Sequence, residues 1–134
     1  MRKLSSLAVL CVLAAALCAG TAAFAFDENH LMKFKATNEC PLCDLSGADL
    51  SGARLHLAQL DGANLQGANL SKAGLSGANL RGANLQGAKL VVTDLRYANL
   101  HYADFTGANI EGADMEKANF CKTKMPWGLE NKDC

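Results

Sequence analysis

The chain has 134 residues, enough for one small domain, and its 13 lysine and arginine residues balance its 13 aspartate and glutamate residues. Aromatic residues make up 6% of the chain, and no basic run is present that would follow a phosphate backbone. This composition argues against nucleic-acid binding, and we expect no nucleic-acid partner.

Residues 1–25 have the features of a signal peptide. Two basic residues follow the first Met, the apolar segment LAVLCVLAAAL spans residues 7–17, and AFA at residues 23–25 matches a cleavage site. We therefore expect export to the periplasm or secretion, with a mature chain that begins near Phe26 and has no membrane anchor. An uncleaved anchor is the alternative, which the short apolar segment disfavours.

Residues 26–42 precede the repeat described below and are predicted to form an N-terminal cap. Asp27 or Asn29 can act as the N-cap of a short helix, in which Leu31 and Phe34 form an apolar pair three residues apart. Laid across the first turn of the following structure, such a helix would cover an open apolar end and unpaired strand edges.

A five-residue repeat runs from Cys43 to Trp127 as seventeen units without insertion or deletion. It is clearest over residues 63–87, ANLQG ANLSK AGLSG ANLRG ANLQG, and the third residue of every unit is apolar. On a helix this step would spread the leucines around every side, and on a strand it would alternate them between faces. A short extended segment followed by a corner in each unit directs every first and third residue inward.

Such a coil stacks its turns at strand spacing, roughly 4.8 Å apart. Glycine is the fifth residue in nine units, which suits a corner with unusual backbone angles. Four glycines recur at a spacing of twenty, which favours four units per turn: Gly47, Gly67, Gly87 and Gly107.

These Ala-Asn/Asp-Leu units resemble the pentapeptide-repeat family over about residues 40–127. The resemblance implies an all-β fold, a right-handed quadrilateral β-helix of about four coils over residues 43–127, with the short capping helix before it. Gly74 and Lys89 depart from the pattern, since Asn or Asp is usual there.

After the last unit the sequence Pro-Trp-Gly ends the repeat. Trp127 is expected to fold over the last coil, and residues 128–134 are predicted to be a C-terminal tail.

Export would leave four cysteines, for which three pairings into two disulfides are possible. In the coil that the resemblance implies, Cys40 and Cys43 lie about four turns, roughly 20 Å, from Cys121 and Cys134. We therefore expect the bridges Cys40–Cys43 and Cys121–Cys134. A four-cysteine metal site would need bonds of about 2.3 Å, so no metal or cofactor is expected.

Residues 40–43 also form a Cys-x-x-Cys motif, which can exchange disulfides in an oxidising compartment. The repeat register directs both thiols inward, where a buried pair is inert. Asp44 stands where covalent haem attachment would need a His. A structural role is therefore favoured over a redox role.

The remaining polar residues form no evident catalytic constellation. His56 and His101 lie at outward positions on adjacent sides, about two turns apart, and His30 is expected to be an exposed residue of the cap. The Asn and Asp residues at the second position of each unit are interpreted as solvated surface.

Opposite charges on neighbouring turns are expected to form weak ladders, with Asp61 over Arg81 and Arg96 over Glu116. Exposed pairs of this kind contribute about 0–1 kcal/mol.

Bulky residues replace small outward ones in the third predicted turn. Contiguous exposed apolar surface can mark a partner site, and the alternative is that corners simply tolerate large side chains. The candidate partner surface comprises Leu57, Val91, Val92, Tyr97, His101 and Tyr102.

We expect an exported, non-enzymatic structural or protein-interaction module that binds an unidentified protein or forms a homodimer. A thiol–disulfide redox protein that uses Cys40 and Cys43 is the alternative. Members of the family that mimic DNA and protect topoisomerases need a strongly acidic surface and a cytoplasmic location. This role is disfavoured, because the chain without its signal peptide has 11 basic and 13 acidic residues.

Overall fold

The structure is a computed structural model that describes residues 26–132 and 134. The signal peptide predicted for residues 1–25 lies outside the described residues. The described part contains a helix α1, Glu28–Thr37, and two short strands, β1 at Thr123–Met125 and β2 at Gly128–Glu130. Between α1 and β1 the chain is a stacked coil of short extended segments and corners.

Parallel bridges between residues twenty positions apart hold this coil together. Asp44 bridges Asn64, Asn64 bridges Asn84, and equivalent series run along the other sides. The backbone N–H of Leu65 donates to the Asn84 carbonyl on the next turn at 2.7 Å, and this pattern recurs along the chain. One turn of the coil therefore takes four units.

The first and third residues of the units fill the interior, as their register predicts. From residue 58 to residue 105 each of them is at most 1% exposed. Thr93 and Thr123 take the place of Ala and remain buried because their hydroxyls donate to the carbonyls of Leu70 and Leu100, at 2.8 and 2.7 Å. Since one turn cannot bury its own inner face, stability comes from the stacking of neighbouring turns.

Helix α1 lies against the first turn. Asp27 is its N-cap, with a carboxylate that accepts a backbone N–H of the first helical turn at 2.9 Å, and Asn38 ends it in the left-handed conformation. Phe34 is buried against the coil. His30, expected to be exposed, is partly so: its side chain is 39% exposed, and its Nδ1 accepts the backbone N–H of Asp44 at 3.1 Å.

The C-terminal end differs from the prediction for Trp127. Strands β1 and β2 pair antiparallel, and β2 lies within the predicted tail. Trp127 sits between them and is 66% exposed, with its Nε1 donating to Glu130 Oε1 at 2.9 Å. It holds the fifth position of its unit, which faces outward, so Met125 at the third position is the residue that is buried.

Candidate interaction surface and cysteine bridges

The fifth residue of each unit before Trp127 lies at a corner with positive φ. Glycine adopts this conformation freely, whereas other residues there cost about 1 kcal/mol or more. Eight corner residues other than glycine have φ between 51° and 61°: Leu42, Leu57, Lys72, Val92, Tyr97, Tyr102, Lys117 and Lys122.

Two neighbouring corners carry most of the exposed apolar side chains of the coil. The Tyr97 corner consists of Leu57, Gly77, Tyr97 and Lys117, and the Tyr102 corner of Leu42, Gly62, Gly82, Tyr102 and Lys122. The exposed fractions are 81% for Leu42, 69% for Leu57, 56% for Tyr97 and 49% for Tyr102. These corners flank one side of the coil.

That side, which we call the amide side, presents a column of uncharged amides. Gln59, Asn79, Asn99 and Asn119 bridge in succession, and Asn79 Nδ2 lies 3.4 Å from Gln59 Oε1. The surface is therefore polar in the middle and apolar at both edges.

Cations lie beside both tyrosine rings. Lys117 Nζ is 5.3 Å from the centre of the Tyr97 ring and 3.3 Å from its hydroxyl. Arg81 and Lys122, from the turns before and after, lie 5.6 and 5.8 Å from the centre of the Tyr102 ring. Such contacts are worth about 0.5–1 kcal/mol at exposed sites, and here they hold the rings in place.

The residues of the partner surface predicted from sequence lie in two separate places in the structure. Leu57, Tyr97, His101 and Tyr102 lie on the two corners that flank the amide side, and His101 is half-buried. Val92 is exposed but belongs to the next corner, beyond a different side, and Val91 beside it is half-buried.

Leu42 completes the surface and was not singled out from sequence. It precedes the first full unit, within the predicted cap, yet it holds the corner position when the register is extended by five residues. That extension is the signal that would have found it.

The expected charge ladders are wrong. Among the residues that the structure describes, no ion pair joins Asp61 to Arg81, because the Arg81 guanidinium lies over Tyr102. Arg96 pairs with Asp94, Nη2 to Oδ2 at 2.8 Å, instead of with Glu116. The corner brings the fourth residue of a unit onto the second residue of the same unit, so this partner is nearer than one on the next turn.

Asn and Asp at the second position do more than cover the surface. The side-chain oxygen of Asn64 accepts the backbone N–H of Gln66 at 3.2 Å, and Asn84 accepts that of Gln86 at 3.1 Å. Most other units with Asn or Asp repeat this bond, so the residue type closes the corner by an Asx turn. The interpretation as solvated surface missed this role.

Four carboxylates at second positions, Asp44, Asp49, Asp94 and Asp104, have lowered pKa values, and two of them fall furthest. The pKa of Asp94 falls to about 2, chiefly because the Arg96 side chain donates to its carboxylate. Burial raises the pKa of Asp104, but hydrogen bonds from Thr106 and Gln86 outweigh burial and lower it to about 2. Both groups are therefore held in the charged form.

The departure at Gly74 has a steric reason. A Cβ at this position would lie 2.7 Å from the ring of His56, which folds across it from the previous turn. His56 is thereby directed along its own side of the coil and does not meet His101. Nothing in the structure explains the departure at Lys89.

The four cysteines form two bridges with different exposure. Cys40–Cys43 joins the end of the cap to the first unit, and its residues are 0% and 3% exposed. Cys121–Cys134 ties the last residue to the last turn, with Cys134 exposed and Cys121 half-buried. The two pairs therefore differ in access to a reductant.

Over residues 26–132 and 134, no group of three or more His, Cys, Asp or Glu side chains is placed to hold a metal ion. Within that same part of the chain, no helix is long and apolar enough to cross a membrane.

Comparison with known protein families identifies relatives of this chain. A family model described as Pentapeptide repeats matches in eight copies over residues 42–77, 73–112 and 91–125, well over half of the chain. No curated protein matches.

Solved structures are similar as well. A pentapeptide repeat protein from Nostoc Pcc 7120 is 31% identical, with a TM-score of 0.64, over 74% of this chain and 83% of that chain. One from the Arabidopsis thaliana thylakoid lumen is 34% identical, with a TM-score of 0.42, over 61% of this chain and 50% of that chain. The Nostoc likeness, together with the family match, implies a right-handed β-helix solenoid.

Proposed function

Because this chain belongs to the pentapeptide repeat family, we propose that it is an exported, non-enzymatic module that binds protein through the amide side and its two corners. The coil supplies a rigid column, and the partner contacts are made by Leu42, Leu57, Tyr97 and Tyr102. The observation that carries the proposal is that bulky apolar side chains stand exposed where the backbone favours glycine.

A bulky residue at these corners costs free energy that glycine does not. Tyr97 and Tyr102 leave about half of their surface exposed, while their positive φ costs about 1 kcal/mol or more. Glycine occupies the same corners one turn earlier without that cost, at Gly77 and Gly82. Aromatic residues are enriched at protein interfaces, which gives the strain a use.

The test is to replace Tyr97 and Tyr102 with Ser and to compare capture of proteins from the native compartment by the variant and the parent chain. We expect at least one protein to bind the parent and to lose about tenfold or more in affinity for the variant, since interface tyrosines contribute about 1–2 kcal/mol each. Quantitative mass spectrometry followed by titration of the captured protein measures this.

Val92→Ser is the matched control, because Val92 is an exposed apolar corner residue that does not border the amide side. Both variants should retain the circular dichroism spectrum of the parent chain. If the double variant captures the same proteins with the same affinity, the proposed surface is refuted.

The export component rests on residues 1–25. A positive start, an apolar segment and AFA at residues 23–25 form the targeting signal. N-terminal sequencing of the chain from a cell fraction would give a start near Phe26 if the signal is cleaved. Two disulfides are also expected in an oxidising compartment.

The cap is part of the proposal. We infer that α1 closes the N-terminal end of about four coils, since Phe34 is buried on the first turn and the Asp27 N–H donates to the Asp44 carbonyl at 3.2 Å. A closed end prevents the first turn from pairing with other chains.

The redox alternative has less support, because both Cys40 and Cys43 are buried. We predict that a mild dithiol reductant opens Cys121–Cys134 well before Cys40–Cys43 in the folded chain. Alkylation during reduction, followed by peptide mass spectrometry, gives the order. Rapid opening of Cys40–Cys43 would favour the redox role instead.

A further inference from the structure

A groove on the Tyr102 corner is not used by the fold. It has a volume of about 470 Å³ and is lined by Leu42, Asp61, Gly62, Arg81, Gly82 and Tyr102. Leu42 and Tyr102 stand at its ends, three turns or roughly 14 Å apart. The Leu42 side chain lies over Gly62, since a Cβ there would be 2.6 Å from Leu42 Cδ2, and Gly82 forms the rest of the floor. A Cβ added at Gly82 would meet nothing within 4 Å, so the floor is open there.

The groove is complementary to itself when it is turned end over end. A two-fold axis across the column, midway between Gly62 and Gly82, exchanges those two glycines between copies. The same rotation sets Leu42 of one copy against the Tyr102 position of the other. Leu42, which lies over Gly62, would then face the open floor at Gly82 of the other copy.

The charges beside the groove obey the same symmetry. Asp61 and Arg81 precede the two glycines, so the rotation sets each carboxylate against a guanidinium of the other copy. Neither residue is in an ion pair within its own chain, in the part of the chain that the structure describes. The pairing occurs twice, and it leaves Arg81 over the face of Tyr102, where it already lies.

We propose that this groove binds a second copy of the chain, forming an antiparallel, side-by-side dimer. The inference rests on the proposed interaction function, of which it names one partner. Opposite charges that meet only under one two-fold rotation select a second copy of this chain over other occupants. The residues of the amide side that border the groove then face the same residues of the other copy.

The test uses sedimentation equilibrium of the exported chain and charge exchange at the two positions. Asp61→Lys sets Lys against Arg81 twice, and Arg81→Glu sets Glu against Asp61 twice. Each variant alone should raise the dissociation constant of the dimer about tenfold or more. An equimolar mixture of the two should associate about as tightly as the parent, because both contacts then join opposite charges.

A second pair of variants tests the floor. Gly82→Lys places a long side chain in the groove, at a φ that Lys72, Lys117 and Lys122 already adopt in this chain. Gly87→Lys is the matched control, since Gly87 has the same φ and open surroundings but lies on another corner. We expect the first variant to be monomeric and the second to dimerise like the parent.

The results separate this inference from the proposed function. A parent chain that stays monomeric at concentrations up to about 1 mM overturns the dimer. So does a dimer that is insensitive to Asp61→Lys, Arg81→Glu and Gly82→Lys, since it must use another surface. In either case, capture of a different protein that depends on Tyr97 and Tyr102 would leave the proposed function standing.

Discussion

At the scale of single residues, the corner positions decide where this chain carries strain. Val92 is the most unfavourable of them, because a β-branched side chain at a φ of 56° meets its own backbone. The tyrosines at the two flanking corners have positive φ as well, but their proposed use explains why they are kept. Val92 has no such use in the proposed surface.

We predict that Val92→Gly raises the free energy of unfolding by about 0.5–1 kcal/mol. Relief of strain contributes about 1–2 kcal/mol, and the greater freedom of glycine in the unfolded chain removes part of that gain. Denaturant unfolding of the variant and the parent measures the difference. Gly87→Val, the reverse change at an open corner, should destabilise, and a loss of stability in Val92→Gly would contradict the argument.

The sequence predicts where the corners lie better than it predicts which contacts their side chains make. Nine glycines mark the corners, and the inward residues follow from register alone. The sequence does not reveal that Arg81 lies over Tyr102, or that His30 accepts the N–H of Asp44, because both contacts depend on side-chain directions across turns. Leu42 was missed for a simpler reason, since the repeat was counted from Cys43.

At the scale of the element, each unit is a short extended segment closed by an Asx turn. The second residue of the unit sets that turn, so the preference for Asn or Asp has a local cause as well as a surface one. Where the residue is Asp, the turn also depends on charge. Asp94 and Asp104 have pKa values of about 2 for this reason.

We predict that stability falls as the pH drops from about 4 to about 2. Each of these carboxylates has a lower pKa in the folded chain than in the unfolded chain, where it is about 3.9. The stability they contribute is therefore fully present above that value and is lost as the pH falls through the folded pKa. Denaturant unfolding across this range gives the slope.

Asp104→Asn is the informative variant. It keeps an oxygen for the turn but cannot ionise, so its unfolding free energy should depend less on pH between about 4 and 2 than that of the parent. Asp49→Asn, at an exposed unit near the first turn, serves as a comparison. It also replaces a carboxylate whose pKa is lowered, here by a hydrogen bond from Ser51. An unchanged slope in Asp104→Asn would rule out its part in acid unfolding.

At the scale of the whole molecule, the two ends of the coil carry different structures. Helix α1 covers the first turn with Phe34, and a hairpin with an exposed disulfide follows the last turn. The sequence predicts the helix from local signals, and it predicts both bridges only once the coil that the resemblance implies separates the two cysteine pairs. It does not predict the hairpin, because β1 is in register with the coil while β2 lies outside the repeat.

We predict that Phe34→Ala lowers the free energy of unfolding by about 3–5 kcal/mol, the usual cost of removing a buried Phe. Met32→Ala on the same helix is the control, because Met32 is exposed and its loss should change little. Thermal unfolding followed by circular dichroism measures both. If Phe34→Ala were as stable as the parent, α1 would not be a cap.

The twenty-residue period of the bridges has a consequence for how this protein can change in length. Removing or adding four units shifts the later turns along the axis and keeps every column in phase. Removing one unit turns all later side chains by a quarter of a circle, so Tyr102 would leave the column of Leu42 although the core stayed filled. A single-unit change therefore alters the direction in which each later surface residue faces, while the core residues still face inward. Partner recognition is far less tolerant of such changes than folding is.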